Sequence, residues 1–130
     1  MSGDRAGRPL PILIVEDDAS LREALVDTLK LGGYDVIEAG DGQAALIQIE
    51  RRRVGMIVSD VQMKPMDGHA LLLEVKRRQP HIPVLLMTAY GVIDRAVAAM
   101  RDGACNYLTK PFEPEVLLAQ VVRHMLPAGY

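Results

Sequence analysis

Five polar side chains stand directly behind, or close, short apolar runs. Glu16 and Asp17 follow Ile12 to Val15, Asp60 follows the run at Met56 to Val58, Thr88 closes Val84 to Met87, and Lys110 follows Tyr107 to Thr109. Taken singly, each has an ordinary explanation. An acid behind a strand usually caps the next helix, as Asp18 is placed to do, and a lysine before proline usually lies at the surface. Taken together they suggest chemistry. Glu16, Asp17 and Asp60 carry three negative charges and Lys110 one positive, so the surplus matches one divalent cation. Carboxylate oxygens supplemented by water suit Mg²⁺, a hard ion that also binds phosphoryl groups. Such a site could hold a metal, orient a phosphoryl donor and let one carboxylate attack it. Thr88 could donate a hydrogen bond to the incoming group, and Lys110 could set a point charge on another of its oxygens.

That convergence requires an architecture. Ile12 to Val15 reads as a buried strand. Leu21, Ala24, Leu25, Thr28 and Leu29 follow helical spacing, closed by Gly32-Gly33. Tyr34 to Ala39 is a second strand, and Asp41 caps a helix reaching about Arg53, with Leu46 and Ile49 inward. Met56 to Val58 is a third strand, Met63 to Gly68 a loop, and His69 to Gln79 a helix in which Glu74 precedes Arg78 by one turn. Pro80 and Pro83 bracket the turn into a strand at Val84 to Thr88. A helix from Val92 to Met100, a strand at Tyr107 to Thr109 and a helix opened by Pro114 complete the alternation. In that last helix Leu118, Val121, Val122 and Met125 are expected on one face. Strand-helix units at this spacing predict an α/β fold with a parallel sheet covered on both faces. Open sheets of this kind hold their sites at the carboxyl ends of the strands, where the five polar residues would gather.

Composition limits the alternatives. The chain has 130 residues, enough for one domain with its own core. It is 49% hydrophobic and 25% charged, a globular balance. Fifteen basic residues against 17 acidic ones give a formal charge of -2 and no basic stripe, which argues against direct nucleic acid contact. A single cysteine, Cys105, excludes an internal disulfide framework and a Cys-rich zinc site. With no secretion signal, a reducing cytoplasm is the expected location. The apolar runs are far shorter than the roughly 18 residues a membrane span needs. Residues 1–9 read as a disordered N-terminal tail, 10–126 as the domain, and 127–130 as the start of a linker or a chain end.

The segments ILIVEDDASLREAL, IVSDVQMKPMDG, VLLMTAYG and NYLTKPF, in this order and spacing, resemble the receiver domain of two-component response regulators. The likeness covers about Pro11 to Met125. It implies a flavodoxin-like (βα)5 three-layer sandwich whose five-stranded parallel sheet has the order 2-1-3-4-5. It implies that Glu16 and Asp17 are the acid pair, Asp60 the phosphoacceptor, Thr88 the switch hydroxyl and Lys110 the switch lysine. The backbone carbonyl of Gln62 would complete the Mg²⁺ site with Glu16, Asp17 and Asp60. Tyr107 matches an aromatic whose rotamer follows activation, and Lys110-Pro111 matches a cis peptide. The side chains of Gln62 and Tyr90 would tune the lifetime of the acyl phosphate, Tyr90 by shielding it from water. The implied protein is a switch rather than a conventional enzyme. It takes a phosphoryl group from a sensor histidine kinase, loses it slowly, and signals through the surface of its fourth helix, fifth strand and last helix. A homodimer through that surface is expected by the same analogy. The segments LLMTAYG, AVAAMRDGA and YLTKPFEPEVLL look like receivers of sigma-54-dependent transcriptional activators of the flagellar type. There an ATPase domain and a DNA-binding domain follow the receiver, and neither lies within these residues.

Two positions depart from the family pattern. Glu16 stands where aspartate is usual, so Mg²⁺ binding is expected with a shifted affinity. Lys64 follows Met63 where proline is usual, and proline comes next, as Pro65. Other readings fit less well. A haloacid-dehalogenase-type hydrolase needs an acid two residues after its nucleophile, where this chain has Gln62, and a longer chain. A flavodoxin-like phosphate loop would be repelled by Glu16-Asp17-Asp18. A receiver-like partner-binding module without phosphorylation would not need the full set of groups. The apolar helix at Val92 to Met100 is either packed through an Ala-rich face or presented to a partner. Arg51-Arg52-Arg53 and Arg77-Arg78 suit helix C-termini. Met56, Met63, Met66, Met87, Met100 and Met125 are expected to pack. His69, His81 and His124 are too scattered for a metal site, and Cys105 is expected buried or half-buried.

Overall fold

Short β-rich runs and amphipathic stretches alternate through the chain as β1 (Ile12–Val15), α1 (Ala19–Leu31), β2 (Val36–Ala39), α2 (Gly42–Arg51), β3 (Met56–Asp60), α3 (Gly68–Arg78), β4 (Val84–Thr88), α4 (Ile93–Arg101), β5 (Asn106–Thr109) and α5 (Pro114–His124). The computed structural model describes residues 9–89, 93–128 and 130. Residues 1–8 of the expected tail over 1–9, with Tyr90, Gly91, Val92 and Gly129, lie outside the described residues. Parallel strands need crossover connections, and α1 to α4 supply the four of them, while α5 follows the last strand. All strand pairs are parallel, in the order β2-β1-β3-β4-β5. This is the expected flavodoxin-like sheet.

Helix starts follow from local chemistry. Asp18, Asp41 and Asp67 are the N-caps of α1, α2 and α3, each accepting a backbone N–H three residues on. Gly33, with φ of 93°, lets the chain leave α1 in a left-handed conformation. Proline at the start of α5 takes the place of a side-chain cap.

The pleat sorts the core into two layers. Ile12, Ile14, Met56, Val58, Leu85 and Met87 point to the side covered by α1 and α5, where Leu25, Leu29, Leu117 and Val121 meet them. Leu13, Val15, Ile57, Val84 and Leu86 point to the other side and pack with residues of α2, α3 and α4. Strands buried on both faces explain why they read as unbroken apolar runs.

Three expectations need correction. Val122 is 75% exposed. Leu117 takes its place in the core, and five residues further on the helix has turned by about 140°. Met100 is 47% exposed rather than packed. β2 begins at Val36, while Tyr34 packs beside the core from the preceding turn. Met56, Met63 and Met87 are buried, Met66 and Met125 pack against the core, and Cys105 is half-buried, as expected.

Candidate functional site

The carboxyl ends of β1, β3, β4 and β5 bring the five expected side chains to one edge of the sheet. Asp60 is the last residue of β3, the central strand, and is 5% exposed. Its backbone leaves little room. A Cβ on Gly68 would lie 2.3 Å from the Asp60 carbonyl oxygen, so only glycine fits at the first position of α3. Glu16 follows β1 and is buried. Its Oε2 accepts the N–H of Asp18 at 3.2 Å. Asp17 is exposed.

Ligand oxygens of Glu16, Asp17 and Asp60 lie within 4.8 Å of one another. Lys110 follows β5 and reaches back across the sheet end. Its Nζ lies 3.0 Å from Asp60 Oδ1 and 3.5 Å from Glu16 Oε1. The Asp60 contact is an ion pair without hydrogen-bond alignment, because Oδ1 is buried and has no hydrogen-bond partner. Burial raises the pKa of the Glu16 carboxyl, and the charge of Asp60 adds to this. The Asp18 N–H and the Lys110 ammonium oppose it. A buried carboxylate oxygen without a hydrogen bond, inside a cluster of hard oxygen donors with surplus negative charge, fits a divalent cation such as Mg²⁺.

The pleat divides this constellation. Glu16 continues the alternation of Ile12 and Ile14, and Asp60 that of Met56 and Val58, toward the α1 and α5 side. Thr88, buried at the end of β4, continues the alternation of Val84 and Leu86 toward the opposite side. Tyr107 packs on that same side, against the core cluster that includes Ala99 of α4, and its hydroxyl is buried without a partner. Gln62 is exposed in the β3–α3 loop. Lys110-Pro111 is cis, and so is Lys64-Pro65, the departure noted in that loop.

Two features carried no sequence signal. Arg22 of α1 donates from Nη1 to the Glu16 carbonyl at 2.6 Å and pairs with Glu38 of β2 at 3.3 Å. An apolar groove of about 620 Å³ opens beside Lys110, lined by Leu21 and Leu25 of α1, Ala89, Phe112 and Leu117. Away from the site, His69 at the start of α3 meets Asp102 beyond α4 at 2.7 Å. No helix among the described residues is long and apolar enough to cross a membrane.

Comparison with known proteins agrees with this fold. The family model described as response regulator receiver domain matches residues 12–122. The chain is 55% identical over 115 residues to the response regulator protein FleR of Pseudomonas aeruginosa, covering 88% of this chain and 24% of FleR. It is 42% identical over 110 residues to the transcriptional regulatory protein ZraR of Escherichia coli, covering 85% of this chain and 25% of ZraR. The chain thus spans about a quarter of the length of these relatives. Among solved structures, the chemotaxis protein CheY4 of Vibrio cholerae superposes with a TM-score of 0.85 at 32% identity, covering 90% of this chain and 99% of that one. The receiver domain of NtrX from Brucella abortus gives 0.83 at 32% identity, over 87% and 96%.

Proposed function

Since the chain belongs to the response regulator receiver domain family, we propose that it is a switch set by phosphorylation of Asp60. The observation that carries this reading is the state of Asp60 Oδ1. It is buried and without a hydrogen bond, faces a lysine at 3.0 Å, and stands in a cluster with two further carboxylates. That is a poor arrangement for stability and a good one for a nucleophile.

The chemistry follows from the side chains. A carboxylate oxygen of Asp60 attacks the phosphorus of a kinase phosphohistidine. The new P–O bond forms as the P–N bond breaks, and the leaving imidazole nitrogen keeps the electron pair. Glu16, Asp17, Asp60 and the Gln62 carbonyl would hold Mg²⁺, which when bound supplies positive charge to the transferring oxygens. Lys110 steers the remaining charge. The groove between α1 and the residues after β5, which Lys110 lines, would give the donor an apolar seat. Thr88 would donate its hydroxyl to the new phosphoryl group from the α4 side, and Tyr107 would then move against the space Thr88 leaves. Gln62 and Tyr90 would set the lifetime of the acyl phosphate.

Output would pass through α4, β5 and α5. Val97 and Met100 of α4 and Val116 and Val122 of α5 are at least 40% exposed. Such side chains suit a partner domain or a second copy of the chain. The similarity to FleR and ZraR, at a quarter of their length, supports placement ahead of the ATPase and DNA-binding domains of a sigma-54-dependent activator in the cytoplasm. The test is incubation with a small acyl-phosphate donor with and without Mg²⁺, read by intact mass. One Mg²⁺-dependent adduct, absent in Asp60→Asn, is the expected result. An adduct that persists in that variant overturns the assignment.

A further inference from the structure

The β1–α1 turn places three acids in succession, Glu16, Asp17 and Asp18. Their mutual repulsion opposes any conformation that gathers them. The turn is nevertheless tied at several points. The Glu16 N–H donates to the Ala39 carbonyl at 3.1 Å, and Glu16 Oε2 receives the Asp18 N–H. Asp18 is engaged as the cap of α1. The Glu16 carbonyl takes the Arg22 guanidinium at 2.6 Å, a short charge-assisted bond. Arg22 lies one helical turn beyond Asp18, and its own N–H bonds the Asp18 carbonyl at 2.9 Å. It therefore reaches back over the turn that precedes it. Its second partner, Glu38, sits on β2 in register with Ile14 of β1. The two partners of Arg22 are thus a carbonyl and an outer carboxylate, rather than the carboxylates of the cluster.

We propose that Arg22 is a positioning residue for the acidic turn, holding the backbone at Glu16 so that Glu16 and Asp17 present their carboxylates to Mg²⁺, with Glu38 keeping Arg22 in place. The inference rests on the reading of this cluster as a Mg²⁺ site. Two effects of removing Arg22 oppose each other. Loss of its positive charge favours a cation nearby, whereas loss of its bond releases the turn. The charge is already matched by Glu38 and partly exposed, so the bond decides.

The experiment is a titration of the isotopically labelled chain with MgCl₂, followed by amide chemical shifts, alongside thermal melting in EDTA. Arg22→Ala is expected to weaken Mg²⁺ binding about tenfold, the low end for outer partners of metal ligands. Its metal-free melting temperature should stay close to that of the wild type. The double variant Arg22→Ala/Glu38→Ala keeps the net charge and should lose as much. Arg22→Lys should recover part of the loss. Unchanged or tighter binding in Arg22→Ala overturns the proposal. Should that variant fail to fold, Arg22→Gln carries the test. Weaker binding there supports the proposal, and equal binding overturns it. A wild-type chain without saturable Mg²⁺ shifts overturns the reading of the site itself and this inference with it.

Discussion

The Tyr107 hydroxyl is a buried donor without a partner, and an orphan of that kind has a measurable signature. Tyr107→Phe removes the donor and keeps the ring in the core, so no stability should be lost, and a gain of up to about 1 kcal/mol is expected in urea unfolding. A clear loss would mean that the hydroxyl is satisfied in solution. Cys105 gives a second residue-scale prediction. Burial pushes its thiol from the ordinary 9.0 up to about 11. At pH 8 its thiolate is then about a hundredfold scarcer than that of an open thiol. Alkylation of the native chain should be slower than that of the urea-unfolded chain by a similar factor, and equal rates would show an accessible thiol. The folded state holds this proton more tightly than the unfolded state. The contribution to stability is therefore complete below pH 9 and is lost as pH rises toward 11. Residues such as Asp60 and Lys110 were legible in the sequence because each ends or follows an apolar run. Arg22 was not, because its partners are a backbone carbonyl in the preceding turn and a side chain on another strand, a relation that no local pattern reports.

Among the elements, α5 shows where pattern reading fails. Val116, Leu117, Leu118, Val121 and Val122 are more apolar residues than one face of a helix can bury. The structure chooses Leu117 and Val121, both fully buried, and leaves Val122 outside. Leu117→Ala should cost about 2–5 kcal/mol. Val122→Lys should stay within about 0.5 kcal/mol while altering any association through the α4-β5-α5 face. Urea unfolding and analytical ultracentrifugation read the two effects separately. The strands β1 and β4 and the capped starts of α1 and α2 were legible, since aspartates and sharp polar boundaries mark them. The start of β2 was misjudged because Tyr34 is apolar yet belongs to the turn.

For the whole molecule, the alternation of elements predicted a parallel sheet, but the order of its strands came with the family likeness, since local patterns do not name neighbours. The acidic edge of that sheet couples ligand binding to folding. Mg²⁺ bound only by the folded chain would stabilise it by about 2.7 kcal/mol at a hundred times its dissociation constant. Calorimetry should therefore show a melting temperature that climbs with MgCl₂, with the climb reduced in Asp17→Asn. A melting temperature indifferent to MgCl₂ would count against the site. The sheet order has a further consequence. Asp60 rides on β3, with two strands on either side, whereas Lys110 follows β5, at the rim. Edge strands fray in brief excursions that leave the centre intact. In hydrogen exchange, the amides of β5 should open well before those of β3. Each such opening parts Lys110 from Asp60, so the charge pair runs on a shorter clock than the fold that carries it.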